Sequence, residues 1–307
     1  MTRAVRVLVT GAGGQVGVDL LDTLRGVTPL GGDASFQPDA PVVEHEFEVL
    51  GLDHHELDVT DRDAVLRSLR AARPDVIVHL AAYTAVDRAE EDSETCFNVN
   101  ERGTQNMSLG ARDVDAHLIT ISTDYVFDGT KGSAYVEDDE TRPLSVYGAS
   151  KRDGERHCVP ADTIVRTSWV MGVRGKNVVH VIADRAVSGS TVRFVDDQMG
   201  TVTAASDLAR SLVTFARERP GGLWHVANSG PTTWFDVAAH VGTLLGRDDE
   251  FATPIKTSEL SPAPLATRPA RSDLDTTKFA TSFAALPAWR DAVARLVFDL
   301  RHDTVTP

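Results

Sequence analysis

Val5-Arg6-Val7-Leu8-Val9-Thr10 runs directly into Gly11-Ala12-Gly13-Gly14-Gln15-Val16-Gly17, and that turn into Val18-Asp19-Leu20-Leu21-Asp22-Thr23-Leu24. The first six residues are short, apolar and β-branched, as in a strand covered on both faces. The last seven carry their apolar residues at helical spacing. Strand, glycine turn and helix in this order form the context that a dinucleotide fingerprint requires. Glycines let the backbone turn tightly and approach a pyrophosphate, whose charge then meets the helix N-terminus. Gly11, Gly14 and Gly17 follow G-x-x-G-x-x-G spacing. A glycine-rich surface turn would need neither the strand before it nor the helix after it.

Strands and helices continue to alternate along the chain, the pattern of a parallel sheet. Phe47 to Leu52 reads as the second strand, ending at Asp53. Asp61 to Arg73 reads as a helix stopped by Pro74, and Val76 to Leu80 as the third strand. Glu94 to Arg112 contains the next helix. His117 to Ile121 is the fourth strand and leads into Ser122-Thr123, with later strands at Ile164-Val165-Arg166 and Leu223 to Val226. The expected fold is α/β, a Rossmann-type doubly wound parallel sheet with a smaller C-terminal substrate-binding domain. Residues 1–155 with a returning segment at about 190–227 are assigned to the dinucleotide domain, and about 156–189 and 228–307 to the substrate domain. Gly26 to His45 interrupts the pattern with a long polar loop, which we expect to be mobile. It sets Asp53 about forty residues past the glycine turn, against the ~20 usual for a ribose-binding acid.

Composition narrows the function classes. A chain of 307 residues has room for one large or two modest domains. No apolar run approaches the ~18 residues of a membrane span, and no signal-peptide pattern precedes the first strand, so a cytoplasmic enzyme is expected. Cys96 and Cys158 are the only cysteines. They indicate neither a disulfide framework nor a cysteine metal site, and read as buried or half-buried thiols. A formal charge of −14 argues against nucleic acid and anionic membranes as partners.

The chemistry is carried by Tyr147-Gly148-Ala149-Ser150-Lys151, which follows Ser122-Thr123-Asp124-Tyr125. A tyrosine and a lysine four apart share one face of a helix, and Ser145 is placed to cap that helix. A phenol, with its pKa near ~10, is a poor acid unless a cation stabilises its anion. Lys151 can supply that charge, giving a proton donor for a carbonyl that receives a hydride. Alone, the spacing is equally that of an aromatic ring packed under a lysine stem. Its pairing with the N-terminal turn favours the chemical reading.

The sequence resembles the dTDP-4-dehydrorhamnose reductase family of the extended short-chain dehydrogenase/reductase superfamily, from Val5 to about Phe283. The resemblance rests on Gly14-Gln15-Val16-Gly17, Leu57-Asp58-Val59-Thr60, and the block Pro74 to Asp87. It extends to Ser122-Thr123-Asp124-Tyr125-Val126-Phe127, Arg166-Thr167-Ser168-Trp169-Val170, Asp197-Gln198, and Arg268-Pro269-Ala270-Arg271-Ser272. It implies NADPH- or NADH-dependent reduction of the 4-keto group of a dTDP-4-dehydro-6-deoxyhexose, in nucleotide-sugar biosynthesis. By the same resemblance Gly11, Gly14, Gln15, Val16 and Gly17 would cradle the pyrophosphate, and Asp53 would reach the adenosine ribose. Asp58 and Val59 would flank the adenine, and Ala82, Tyr83 and Thr84 would line the cofactor. Tyr147, Lys151 and Thr123 would carry the proton transfer, with Tyr147 and Lys151 also on the nicotinamide ribose. Thr123, Asp124 and Trp169 would meet the substrate, and Arg268, with Arg271 as second candidate, its diphosphate. Tyr83 stands where the family commonly has histidine, and Val202 where proline usually follows the Asp-Gln block. The resemblance also allows a homodimer.

Two related activities are weighed against the reductase. Sugar-nucleotide dehydratases place an acid after Thr-Asp, where this chain has Tyr125. A regulatory subunit like the β subunit of methionine adenosyltransferase would be compatible with a retained Tyr/Lys pair. No metal is expected. Mg²⁺ is linked to dimerisation in part of the family, but no carboxylate cluster here fixes a site for it. His54-His55 reads as loop surface, its neighbouring side chains pointing to opposite faces of an extended segment. His79 reads as a hydrogen-bonded core residue, Glu137 to Glu140 as a solvated turn, and Trp224 and Trp234 as core or interface aromatics.

Overall fold

The computed structural model describes residues 3–32 and 40–303, the last two by their backbone alone. The strands are β1 Val5–Thr10, β2 Phe47–Leu52, β3 Val76–His79, β4 His117–Thr123, β5 Thr163–Thr167, β6 Val170–Met171, β7 Val192–Val195, β8 Met199–Gly200, β9 Thr203–Ala204, β10 Gly222–His225, β11 Thr232–Thr233 and β12 Ala252–Ile255. The helices are α1 Gln15–Leu24, α2 Arg62–Ala72, α3 Val86–Ala89, α4 Ser93–Phe97, α5 Gly103–Asp113, α6 Val146–Glu155, α7 Val178–Val187, α8 Ala205–Glu218, α9 Trp234–Leu244, α10 Thr277–Ser282 and α11 Trp289–Asp303.

Six strands form one parallel sheet in the order β10-β5-β4-β3-β1-β2. Its pairings run in register, with Val7 of β1 opposite both Val49 of β2 and Val76 of β3. The chain leaves β1 outward to β2 and returns to β3 on the other side, so the order reverses between β1 and β3. Such a switch point opens a crevice at the C-terminal strand ends, where ligands bind in doubly wound sheets. The interior strands are apolar on both faces because helices cover both. Val7, Val9, Val76, Val78 and Ile119 pack under α1 and α8, while Leu8, Ile77 and Leu118 pack under α2 and α5.

A second core joins α7, α9 and α11 around Val179, Ile182, Val237, Val241, Phe251 and Val293. Beside it β7 pairs with β12, and two-stranded pairings join β6 to β9 and β8 to β11. Because β7 belongs with β12, the return to the main sheet begins nearer Thr203 than residue 190, through α8 and β10. Gln15, the first residue of α1, accepts hydrogen bonds from Gly172 N and Asn177 Nδ2, both at 2.9 Å, and so ties the two bodies together.

Part of the long loop, residues 33–39, lies outside the described residues. Its described flanks are held in place. Gly31 bonds through both backbone groups to Arg295 and Asp299 of α11, and Arg217 of α8 pairs with Glu46 at 2.6 Å and donates to the Ala40 carbonyl. Among the described residues no helix is long and apolar enough to cross a membrane.

Candidate active site

The glycine turn leaves the N-terminus of α1 open. Gly14 takes the N-cap position with no side-chain cap, and no acid follows in the first turn, so the first N–H groups of α1 face out with their positive partial charge. Gly11 has φ +65°, and a Cβ there would stand 2.7 Å from Ala81 N; one on Gly17 would stand 2.4 Å from Gly11 O. Around Gly13 there is open space. Close backbone packing behind and an uncapped helix end in front suit a dinucleotide pyrophosphate.

Asp53 stands just past β2, near that turn. Its Oδ1 accepts from His55 N at 2.7 Å and Glu56 N at 3.2 Å, and the first of these holds the carboxyl below its ordinary range. The carboxylate is thus charged and held, with Oδ2 available to a ribose hydroxyl. His54 and His55 lie in this turn and not on an extended segment. Their rings therefore stand together, centroids 3.7 Å apart, instead of on opposite faces, and both are exposed. Asp58 closes its own turn by accepting from Thr60, while the Val59 side chain is buried in the core.

Asn100 escaped the sequence reading, yet it joins the two halves of the site. Its side chain accepts from Tyr83 N at 2.9 Å and donates to Tyr83 O at 3.0 Å and Ser150 Oγ at 2.9 Å. It thereby sets the Ala82-Tyr83-Thr84 segment against α6. It sits in a wide helical turn, Asn98–Arg102, between α4 and α5. Such turns recur at functional sites, but nothing in the residue pattern announces this one.

On α6, Ser145 caps the helix by accepting from Gly148 N at 3.1 Å, as expected. The Tyr147 hydroxyl reaches the Thr123 hydroxyl at the end of β4, and that hydrogen bond favours the phenolate. Burial acts more strongly and raises the phenol above its ordinary value. Lys151, only 5% exposed, is pushed down to about 8 by burial. Tyr147 therefore carries its proton at neutral pH, and Lys151 remains mostly an ammonium. Glu155, one turn beyond Lys151, is pinned by Arg166, which donates to both its oxygens at 2.9 and 2.7 Å and lies over the Phe127 ring.

Asp124 is 2% exposed. It accepts from Ser272 Oγ at 2.5 Å and Thr123 Oγ1 at 3.1 Å, and burial pushes it up to about 6. Trp169 has φ +43°, stacks on Trp234 with ring centroids 4.2 Å apart, and lies over Gly200, where a Cβ would come within 2.7 Å of the ring. A cavity of about 500 Å³ opens beside this pair, lined by Asp87, Arg193, Phe194, Gln198, Trp234 and Arg268, with the segment Leu260 to Leu265 closing it. Trp234, read from sequence as a core or interface aromatic, is a wall of that cavity as well.

The arginines differ from expectation. Arg268 reaches the cavity, but Asp87 grips its guanidinium at 3.0 and 2.6 Å, which holds the Asp87 carboxyl down to about 2. Arg271 pairs with Asp273 at 2.7 Å and donates to the Gly132 carbonyl, and it does not line the cavity. Arg193, unremarked in the sequence, lines it, and among the described residues its ion pair is a long contact of 3.6 Å to Glu259. His79 is a buried core residue bonded to Thr10 Oγ1 at 2.8 Å. Glu137 is more than solvated turn, since it accepts from His225 N at 3.0 Å. Cys96 is buried, Cys158 half-buried, and both are free. Among the described residues no group of three His, Cys, Asp or Glu side chains could hold a metal ion.

Comparison with known proteins agrees with this geometry. Residues 5–302 match the model of the RmlD substrate binding domain. A dTDP-4-dehydrorhamnose reductase from Sinorhizobium fredii is 36% identical, over 96% of this chain and 98% of its own length. A probable dTDP-4,6-dihydroxy-2-methyloxan-3-one 4-ketoreductase from Streptomyces antibioticus is also 36% identical, over 96% of each. The crystal structure of dTDP-4-dehydrorhamnose reductase from Bacillus anthracis, solved in complex with NADP, superposes with a TM-score of 0.85 at 29% identity, covering 96% of this chain and 99% of that one. Fold, site and likeness run the length of the sequence together, and the chain belongs to the RmlD substrate binding domain family.

Proposed function

We propose that this chain is an NAD(P)H-dependent reductase that converts dTDP-4-dehydro-6-deoxy-L-mannose to dTDP-L-rhamnose. The observation that carries the reading is the meeting of the Tyr147 hydroxyl with Thr123, at the strand edge next to an uncapped glycine-turn helix. The nicotinamide cofactor, when bound, supplies the hydride. Gly11, Gly14, Gln15, Val16 and Gly17 would hold its pyrophosphate at α1, Asp53 its adenosine ribose, and Asp58, with the backbone beside the buried Val59, its adenine. Ala82, Tyr83 and Thr84 line its path towards Tyr147 and Lys151. Tyr147 donates its proton to the oxygen of the reduced carbon, and the buried ammonium of Lys151 steadies the phenolate that remains. Trp169, Trp234 and the cavity beside them receive the nucleotide sugar.

The nucleotide domain in this reading comprises residues 1–155 and a returning segment, and the smaller body binds substrate. This reading places the protein in the cytoplasm without a nucleic-acid or membrane partner and allows a homodimer, which a sizing measurement in solution checks. A second sugar is a specific alternative, because the Streptomyces antibioticus 4-ketoreductase is as similar as the Sinorhizobium reductase. Following NADH and NADPH oxidation with dTDP-4-dehydro-6-deoxy-L-mannose and with other dTDP-4-keto-6-deoxyhexoses decides between them. Turnover with none of these would leave the regulatory-subunit reading in its place.

A further inference from the structure

Asp124 is buried, yet among the described residues no cation pairs with it. Arg268 and Arg271, from the same C-terminal block as Ser272, are committed to Asp87 and Asp273. Hydroxyls hold it instead, Ser272 Oγ on Oδ2 and Thr123 Oγ1 on Oδ1, with the Ser168 hydroxyl also acting on the carboxyl. Thr123 is the more consequential partner, because a threonine hydroxyl has one proton to give and two lone pairs to offer. One lone pair takes the Tyr125 N–H at 3.2 Å. The remaining proton and lone pair are shared between Asp124 and the Tyr147 hydroxyl, which lie on either side.

We propose that Asp124 is a positioning residue that acts through Thr123, setting which way the Thr123 proton points and so whether Tyr147 is free to protonate the substrate oxygen. This rests on the reductase reading. An ionised Asp124 can only accept, so it draws the Thr123 proton. Thr123 then accepts from Tyr147 and turns the phenol proton away from the cleft. A protonated Asp124 donates to Thr123, and Thr123 donates to the Tyr147 oxygen. The phenol proton then faces the substrate, and the phenolate left behind keeps a donor. The proton that Tyr147 gives up ends on the product hydroxyl, and Asp124 keeps its own.

The groups around Asp124 leave it as the one that titrates near neutrality. Tyr125 on its own turn and Tyr147 on α6 are both raised by burial, and Arg268, which reaches the Tyr125 hydroxyl, is raised by Asp87. Asp124 itself is lifted to about 6 by burial.

The test compares wild type, Asp124→Asn and Asp124→Ala by kcat and KM against pH, with NADPH and dTDP-4-dehydro-6-deoxy-L-mannose. An asparagine that keeps its amide oxygen towards Ser272 presents its NH2 to Thr123 at every pH and so imitates the protonated acid. Wild-type kcat should fall as pH rises through the Asp124 titration, and Asp124→Asn should lose that limb. Asp124→Ala should lie about tenfold or more below the wild-type plateau at every pH, a general-acid step deprived of its alignment. An asparagine variant that keeps the limb, or falls as far as alanine, overturns the proposal. Ultraviolet titration of the tyrosines, with Tyr147→Phe as reference, gives a readout without turnover. Tyr147 should ionise at lower pH in Asp124→Asn than in wild type, and an unmoved midpoint overturns the assignment. That shift in a protein with no turnover would remove the reductase reading and leave the hydroxyl arrangement standing.

Discussion

Replacing Lys151 with methionine should make the protein more stable and nearly inactive. The side chain is 5% exposed, and burial lowers its ammonium from 10.5 to about 8. That gap corresponds to about 3 kcal/mol, at ~1.36 kcal/mol per pKa unit. At pH 7 the lysine is protonated both in the unfolded chain, where water solvates it, and in the fold, where it is desolvated, so the native state bears the whole cost. As pH rises from about 8 to 10.5 the folded lysine loses its proton first and the cost disappears. Methionine has a similar length and flexible packing. Glu155 is not orphaned by the change, because Arg166 holds both its oxygens. Lys151→Met should therefore gain up to ~3 kcal/mol at pH 7, and the gain should shrink towards zero near pH 10.5. Turnover should drop by about 10²-fold or more as the phenolate loses its neighbouring cation. Urea unfolding at pH 7 and pH 10, with kcat measured alongside, checks both halves. A variant less stable than wild type at pH 7, or a gain as large at pH 10 as at pH 7, would refute the burial argument. Near-normal kcat would remove the cation from the mechanism.

Tyr147→Phe should lower kcat by about 10²–10⁴-fold with cofactor affinity little changed, read from steady-state rates and NADPH titration. The wild type should use both cofactors with a modest preference for NADH, and Asp53→Asn should shift the ratio of kcat/KM towards NADPH by about tenfold, since a carboxylate repels a 2′-phosphate; an unchanged ratio would place the ribose elsewhere. Arg193→Ala should raise KM for the nucleotide sugar more than Arg268→Ala does, because Asp87 already neutralises Arg268; the reverse order would mean that Arg268 exchanges Asp87 for the diphosphate. Arg295→Met should cost about 3–5 kcal/mol in urea unfolding, because it strips the 2.7 Å partner from the fully buried Asp207 carboxylate.

What could be read from the residues shares one property, which is that the signal is local. The β1 strand and its glycine turn are contiguous, and Gly11 and Gly17 are required by contacts within a few residues or with Leu80 and Ala81, just past the neighbouring β3. Ser145 lies three residues before the N–H it caps. The parallel sheet follows from the alternation of strands and helices. What could not be read spans the chain. Arg268 meets Asp87 across 181 residues, and Ser272 meets Asp124 across 148. Sequence shows that an arginine is present and leaves open whether its charge is already taken. The His54-His55 turn failed for another reason. An extended segment would separate the two rings, but the Asp53 carboxylate draws in the following N–H groups and closes the backbone into a turn.

The same distinction bears on why reduction is favoured over elimination. The sequence reading turned on one substitution, Tyr125 in place of the dehydratase acid, and a phenol is not by itself excluded from acid catalysis. The surroundings supply the missing argument. Tyr125 is raised in pKa by burial, its ring meets that of Tyr147 edge-on with centroids 6.2 Å apart, and its hydroxyl is engaged by Arg268. An elimination acid must deliver a proton to a departing hydroxyl, and the two buried phenols differ in their partners: the Tyr125 hydroxyl is engaged by Arg268, that of Tyr147 by Thr123. The neighbouring carboxyl, Asp124, is turned into the protein towards Ser272 and Thr123. Tyr147 is then the proton donor that the site retains at the strand edge, and one proton delivered to an oxygen is what reduction of a carbonyl requires.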